Sequence, residues 1–493
     1  MEAMPISSSK NIPSYGSGDS EQPSDAGAAR WSAPNEDRVI LRSIHLKPGV
    51  TSKEFFVYLI CVFFSIAFVV FLNQIQTFVL TFILKNSEDL GNLLGTFTLW
   101  DEIFSLVFVC IWGLVSDITG RRAVFSLGFF TIGISFFLYT LPTTALPDLL
   151  LVRLFFAIGA SACTSMLTAG LADIVGEKNG MTSGIVGMFS GIGAVFAIFL
   201  LVPLPTVLDK LTGVPEDSLK YTLYIAGALS LIWSGVTMLS YQKKPPGIEL
   251  QSRLPLSQKV QGAIKDFPRA FGLMTSDIKI AMGYISGFVA RGDTVILTVF
   301  ITAWAVKHFI ENGQCNYDGE IGVPDSTTAK RVCREAFKLS MMLSGIAQVF
   351  ALLGAPLVGF LLTRMRASSV MSMSSLIGMI GYFGFGFTDS PASKLNFIWV
   401  CMLGFGEIGT IVTSLSLLSA PGKVPPELRG AVSGIYSLFG AIGIIFCSRL
   451  GGYLFDAWRS GAPFILMGGF HALLFVLGII CFLAERSEQP TAQ

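Results

Sequence analysis

Seven ionised side chains sit inside long apolar runs: Asp101, Glu102, Arg153, Arg291, Asp293, Glu407 and Arg449. The first run adds Asn73, Gln74 and Gln76. A charge held at the centre of a bilayer costs at least ~2.5–3.5 kcal/mol on insertion scales, so each one needs a partner or a task. At a rise of about 1.5 Å per residue, Asp101 and Glu102 fall a turn or two below the outer end of their run, and Arg153 falls at similar depth in its own. The three are expected to form a structural charge pair. Arg291, Asp293 and Glu407 fall near the midplane, where the expectation is binding rather than helix-to-helix glue. Asn73, Arg291, Asp293 and Glu407 are expected to line one central site, with Asn73 brought opposite Asp293 by aligning Phe68-Val69 onto Phe288-Val289. Glu407, a lone carboxylate beside Gly404 and Gly406, is the first choice for proton carrier, and Arg291 the anchor for an anionic group on a solute. Positions two apart on a regular helix point about 200° apart, so Arg291 and Asp293 share one cavity only if Gly292 breaks the helix. His471 reads first as a packed histidine rather than a proton relay.

The elements that carry these residues are apolar runs of bilayer-spanning length, near 55–83, 94–116, 123–142, 148–172, 181–204, 221–241, 279–305, 338–363, 368–388, 395–419, 430–456 and 463–484. Hydrophobic residues make up 52% of the chain and charged ones 14%, with 41 phenylalanines, and the mean hydropathy is +0.65. A soluble chain carries nearer a quarter charged residues. The predicted class is an all-α membrane protein of twelve spans. Arg121/Arg122, Lys243/Lys244, Arg364/Arg366 and Lys423/Arg429 fall on one face, which the positive-inside rule makes cytoplasmic, together with both termini. Residues 1–51 are rich in Ser, Gly, Pro and acids and read as a disordered cytoplasmic tail without a signal-peptide core. Residues 52–241 form the first six-helix bundle, 242–278 a cytoplasmic linker with a short amphipathic helix near 257–267, 279–485 the second bundle, and 486–493 a short tail. Cys315 and Cys333 flank the loop after the seventh run and are a possible disulfide on the far face. The net charge of +1 argues against a nucleic-acid partner. No metal, nucleotide or nucleophile motif appears, so neither a cofactor nor an enzyme is expected.

Gly113-Leu-Val-Ser-Asp117-Ile-Thr-Gly120-Arg121-Arg122 joins the second and third runs. Gly113 suits close helix approach, Gly120 a positive φ, Asp117 a helix end or an arginine, and the two arginines the cytoplasmic side. The stretch resembles the signature loop of the major facilitator superfamily, with Ile118 where that pattern usually has arginine. Leu149-Leu-Leu-Val-Arg153-Leu-Phe-Phe-Ala-Ile-Gly159 resembles the same family's fourth-helix motif. A duplication accompanies them. Ser183-Gly-Ile…Phe189…Gly193…Phe196 recurs as Ser433-Gly-Ile…Phe439…Gly443…Phe446, Gly180 matches Gly430, and Gly113 matches Gly359. The resemblance implies two pseudo-symmetric six-helix halves with a midplane site between them. It also implies a conformational latch at Gly113, Asp117, Gly120, Arg121 and Arg122.

The function this implies is secondary active transport of a small polar or charged organic solute by alternating access, coupled to protons. The alternatives are a drug/proton antiporter, which the missing Gly-Pro pair in the fifth run argues against, and a non-transporting sensor on the same scaffold. A channel is disfavoured for want of charge rings. The expected partners are the bilayer, the solute and protons, around a monomer in a plasma or organelle membrane. The tail and the phenylalanine content suggest a eukaryotic, fungal-type member. If the loop is a latch, Asp117→Asn should leave folding and surface expression intact and lower transport several-fold; wild-type transport in that variant at normal expression would remove the latch.

Overall fold

The computed structural model describes residues 38–40, 44–46, 50–85, 89–174, 180–212, 215–240, 256–313, 326–419 and 428–487. Twelve of its helices are long and apolar enough to cross a membrane. In chain order the spans are Ser52–Ile83, Leu90–Gly113, Arg121–Leu138, Ala145–Leu167, Ile185–Asp209, Glu216–Ser240, Ile278–Glu311, Glu335–Arg364, Ala367–Gly386, Asn396–Leu418, Ala431–Ala457 and Ala462–Arg486, numbered 1 to 12 below. A bilayer offers backbone amides no water, so each span must satisfy them within itself, and a helix does so. Local sequence sets the ends. Thr51 accepts from the Glu54 amide at 3.3 Å while Glu54 accepts from the Thr51 amide at 2.7 Å, a capping box that starts span 1. Gly120, at φ 89°, ends one helix at Thr119 and lets the next begin at Arg121.

Several elements differ from their expected bounds. The helix of span 2 begins at Leu90 rather than 94, which sinks Asp101 and Glu102 about a turn deeper than the apolar run suggests. The linker helix runs from Leu256 to Ser276, and Ala270 on it accepts from the Tyr284 hydroxyl of span 7 at 3.2 Å. Within the stretch read as a tail, Arg38–Ile40 (β1) and Ile44–Leu46 (β2) pair antiparallel with Val39 opposite His45. Val39, Ile40 and Ile44 supply the β-branched residues such a ladder favours. Cys315 and the Cys333 side chain lie outside the described residues.

Spans 1–6 pack as one bundle and spans 7–12 as another. The duplication is visible as one repeated contact. A Cβ on Gly193 of span 5 would collide with the carbonyl of Phe63 in span 1, and one on Gly443 of span 11 would collide with the carbonyl of Phe288 in span 7. Glycine lets two helix backbones meet at each place. This pairing equates Phe63 with Phe288, not Phe68, and so corrects the register read from the sequence. Asp293 corresponds to Phe68, and Asn73 lies more than a turn away from it towards the end of span 1.

The halves meet from mid-depth towards the end that carries the turn after span 1. There the backbones of Gly91 and Gly452 abut, and Gly95 lies against the Ser448 carbonyl. Asp456 of span 11 accepts from the amides of Gly91 at 3.1 Å and Asn92 at 2.7 Å, capping the first turn of span 2 from the other half. Lys307 lies 4.0 Å from the same carboxylate. Arg449 donates to Asn92 and, at 2.9 Å, to Thr96; Thr302 donates to Gln74; Phe78 stacks on Phe337. Replacing a cap by alanine costs about 0.5–2 kcal/mol. Asp456→Ala should therefore shift the halves apart here, read as longer distances between spin labels at the exposed Leu141 and Leu395. Asp456→Asn keeps an acceptor and should keep the wild-type distances; an unchanged distribution in Asp456→Ala would show that the cap does not hold this end.

Candidate functional site

The charged residues resolve into two clusters and one separated pair. In the first half, Arg153 of span 4 donates from Nε to Asp101 Oδ2 of span 2 at 2.5 Å and from Nη2 to Asn73 Oδ1 of span 1 at 3.1 Å. Arg153 is 2% exposed. Tyr139 of span 3 is fully buried, with its hydroxyl close to the same guanidinium. Small residues make this possible: a Cβ on Gly159 would press on the backbone of Gly128 and Ile132, so spans 3 and 4 touch directly just below the pair. Trp112 of span 2 donates to the Ile158 carbonyl at 3.0 Å, fixing span 2 to span 4.

The second cluster lies wholly inside the other half. Asp293 of span 7 and His471 of span 12 are both 0% exposed, with Nε2 at 2.9 Å from Oδ2 and 3.2 Å from Oδ1. Glu407 of span 10, 4% exposed, accepts from Thr294 at 2.9 Å and lies within electrostatic range of Asp293. Tyr382 of span 9 stacks on the His471 ring at 5.0 Å, and its hydroxyl faces both acids. Among the described residues, Glu407 Oε2 and His471 Nδ1 are buried without a hydrogen-bond partner. The imidazole fits because Gly378 of span 9 has no Cβ to displace it. Gly404 and Gly406 do not line a cavity; they bring span 10 against the backbones of Ala347 and Gly378.

Arg291 and Glu102 belong to neither cluster. The helix of span 7 runs unbroken through Gly292, so Arg291 is exposed while Asp293 is buried, as two positions on a regular helix require. The break expected at Gly292 is absent; that glycine instead makes room for the Cys447 sulfur of span 11. Arg291 faces Glu102 of span 2, in the opposite half, within electrostatic range. Of the four residues expected in one site, Asp293 and Glu407 come together, Asn73 joins Arg153, and Arg291 stands on the other face of span 7. His471, Thr294 and Tyr382 were not singled out as site residues. A threonine that also back-bonds to Ala290 at 3.2 Å and a histidine alone in an apolar run carry no distinguishing signal in one sequence.

At the signature loop, Ser116 accepts from Arg121 and donates to the Gly113 carbonyl at 2.7 Å. Among the described residues no atom lies within 4 Å of a Cβ built on Gly113, so the close helix approach expected there is not made in this conformation. The Asp117 side chain lies outside the described residues, and Arg122 is half-buried.

Residues 60–420 and 337–493 match the model of the Major Facilitator Superfamily. The chain is 25% identical over 377 residues to the magnetosome protein MamZ of Paramagnetospirillum magneticum, a match covering 74% of this chain and 53% of that protein. It therefore spans about half the length of that relative. To the magnetosome protein MamH of the same organism it is 20% identical over 381 residues, covering 74% of this chain and 78% of that one. Among solved structures, the nucleoside transporter NupG superposes with a TM-score of 0.62 at 15% identity, over 88% of this chain and 99% of that chain. A POT family transporter in complex with 5-aminolevulinic acid superposes at 0.60 with 14% identity, over 87% and 95%. These likenesses are of fold. With its twelve spans in two six-helix halves and a family match over most of its length, the chain belongs to the Major Facilitator Superfamily.

Proposed function

We propose that this protein is a proton-coupled secondary transporter of a small polar or charged organic solute, working by alternating access. The observation that carries the reading is the enclosed Asp293–His471–Glu407 cluster, three titratable groups contributed by spans 7, 12 and 10. In so dry a setting the charge on one group is felt strongly by the others, and their protons are bound as a set. A proton gained or lost there changes how three spans of one half attract each other, and of the three span 7 packs against span 1 of the other half. The contacts at the Asp456 end support the alternating step, because they join the halves through a few polar bonds and one glycine seam that a rocking motion can separate. The basic residues at 121/122, 243/244, 364/366 and 423/429 support a cytoplasmic side for the opposite end and for both termini. Bundle bounds of 52–241 and 279–485, joined by 242–278, follow from the same layout.

The test is to profile metabolites in cells with and without the protein, then reconstitute the chain with a solute so identified. Uptake by the wild type should rise as the pH on the loading side falls, since protonation there loads the carrier. Glu407→Gln should flatten that dependence while solute exchange at equal pH continues. Should Glu407→Gln keep full pH-dependent uptake, Glu407 is not the proton carrier. His471→Gln, which retains a donor towards Asp293, should keep the fold and shift the pH profile.

A further inference from the structure

Arg291 and Glu102 are charges in the spans' interior that the two clusters leave aside. Among the described residues neither makes a hydrogen bond or an ion pair. At about 1.5 Å per residue, Glu102 lies roughly 18 Å below the start of its helix and Arg291 roughly 20 Å from the opposite end of its own, so both sit near the middle of the bilayer's thickness. They come from different halves, lie within electrostatic range of one another, and keep accessible surface: Glu102 half-buried and Arg291 exposed. Packing holds Arg291 in that place. A Cβ on Gly440 of span 11 would come 2.7 Å from Arg291 Cγ, so this glycine accommodates the arginine stem between spans 7 and 11. Asp101 beside Glu102 is already held by Arg153, which leaves Glu102 as the free anion.

Two opposite charges at mid-depth, near but not bonded, define a gap that each half closes from one side. Direct collapse would form an ion pair across the halves; a solute with a cationic and an anionic end would satisfy both without it. We propose that the transported solute is a zwitterion, its acid group on Arg291 and its amine on Glu102. This rests on the transport reading and adds the substrate class to it. Such a solute touches both halves at once, so its binding favours the state in which they approach.

The test uses the purified full-length chain and a ladder of ω-amino acids of increasing length, with the alkylamine and the alkanoate of each length as single-charge controls. The readout is the thermal unfolding midpoint against concentration. At least one ω-amino acid should stabilise the protein while its single-charge controls do not. Arg291→Gln and Glu102→Gln should each weaken that binding about 10–100-fold, the loss expected for one charge-assisted hydrogen bond. The exchanged pair, Glu102→Arg with Arg291→Glu, should restore it, because an ω-amino acid can turn end for end. No binding anywhere on the ladder, equal stabilisation by the single-charge controls, or unchanged affinity in Arg291→Gln would each overturn the proposal. A zwitterion that binds but is not accumulated removes the transport reading and leaves the site. A single-charge solute accumulated under a proton gradient does the reverse.

Discussion

Water is missing from the medium these helices occupy, and the structure depends on how each charge meets that condition. Arg153 meets it by pairing: a guanidinium 2% exposed gives one bond to Asp101 and one to Asn73. Removing one partner of such a pair costs about 3–5 kcal/mol, so spans 1, 2 and 4 are tied into one unit at this depth. Asp293 meets it through its hydrogen bond with His471. Arg291 and Glu102 make no hydrogen bond or ion pair among the described residues and keep accessible surface instead. The glycine seams follow from the same condition. Helices in lipid gain little from burying leucine against leucine, so direct backbone contact and short polar bonds supply the cohesion. Gly193 on Phe63 and Gly443 on Phe288 are two copies of that solution.

The closed end shows how such cohesion stays reversible. Its polar contacts are each worth on the order of 1 kcal/mol, and they join rigid halves instead of threading through them. The cap of Asp456 on span 2 is the plainest case: the first amides of a helix lack partners within it, and here the other half provides the acceptor. At the surface water is an alternative partner for those amides, so the net worth of the cap is modest.

Much of the fold was legible because spans announce themselves by length and composition, and because Gly120 is a local signal that acts locally. The Asp101–Arg153 approach was legible from depth alone. What failed needed three dimensions. Matching Phe-Val pairs placed span 1 on span 7 with an error of more than a turn, since an alphabet of Phe, Val and Leu supplies many false registers; the glycine-to-carbonyl contacts give the register because only one alignment lets backbones touch. Gly292 invited a helix break, yet it is a packing residue for Cys447, and the intact helix sends Arg291 and Asp293 to opposite faces. His471 was passed over because burial of a histidine is ordinary until its neighbour is known. Its neighbour is an aspartate from a span five elements earlier.

Duplication gave the two halves one scaffold, and their charges differ in kind. An arginine does not release its proton under any condition a cell provides, so Arg153 keeps its charge and suits a structural joint with Asp101. The second half places its buried pair elsewhere, with Asp293 and His471 on spans 7 and 12, which are not the duplicates of the spans that carry Asp101 and Arg153. The basic residue that faces an interior aspartate therefore differs between the halves: arginine in the first, histidine in the second.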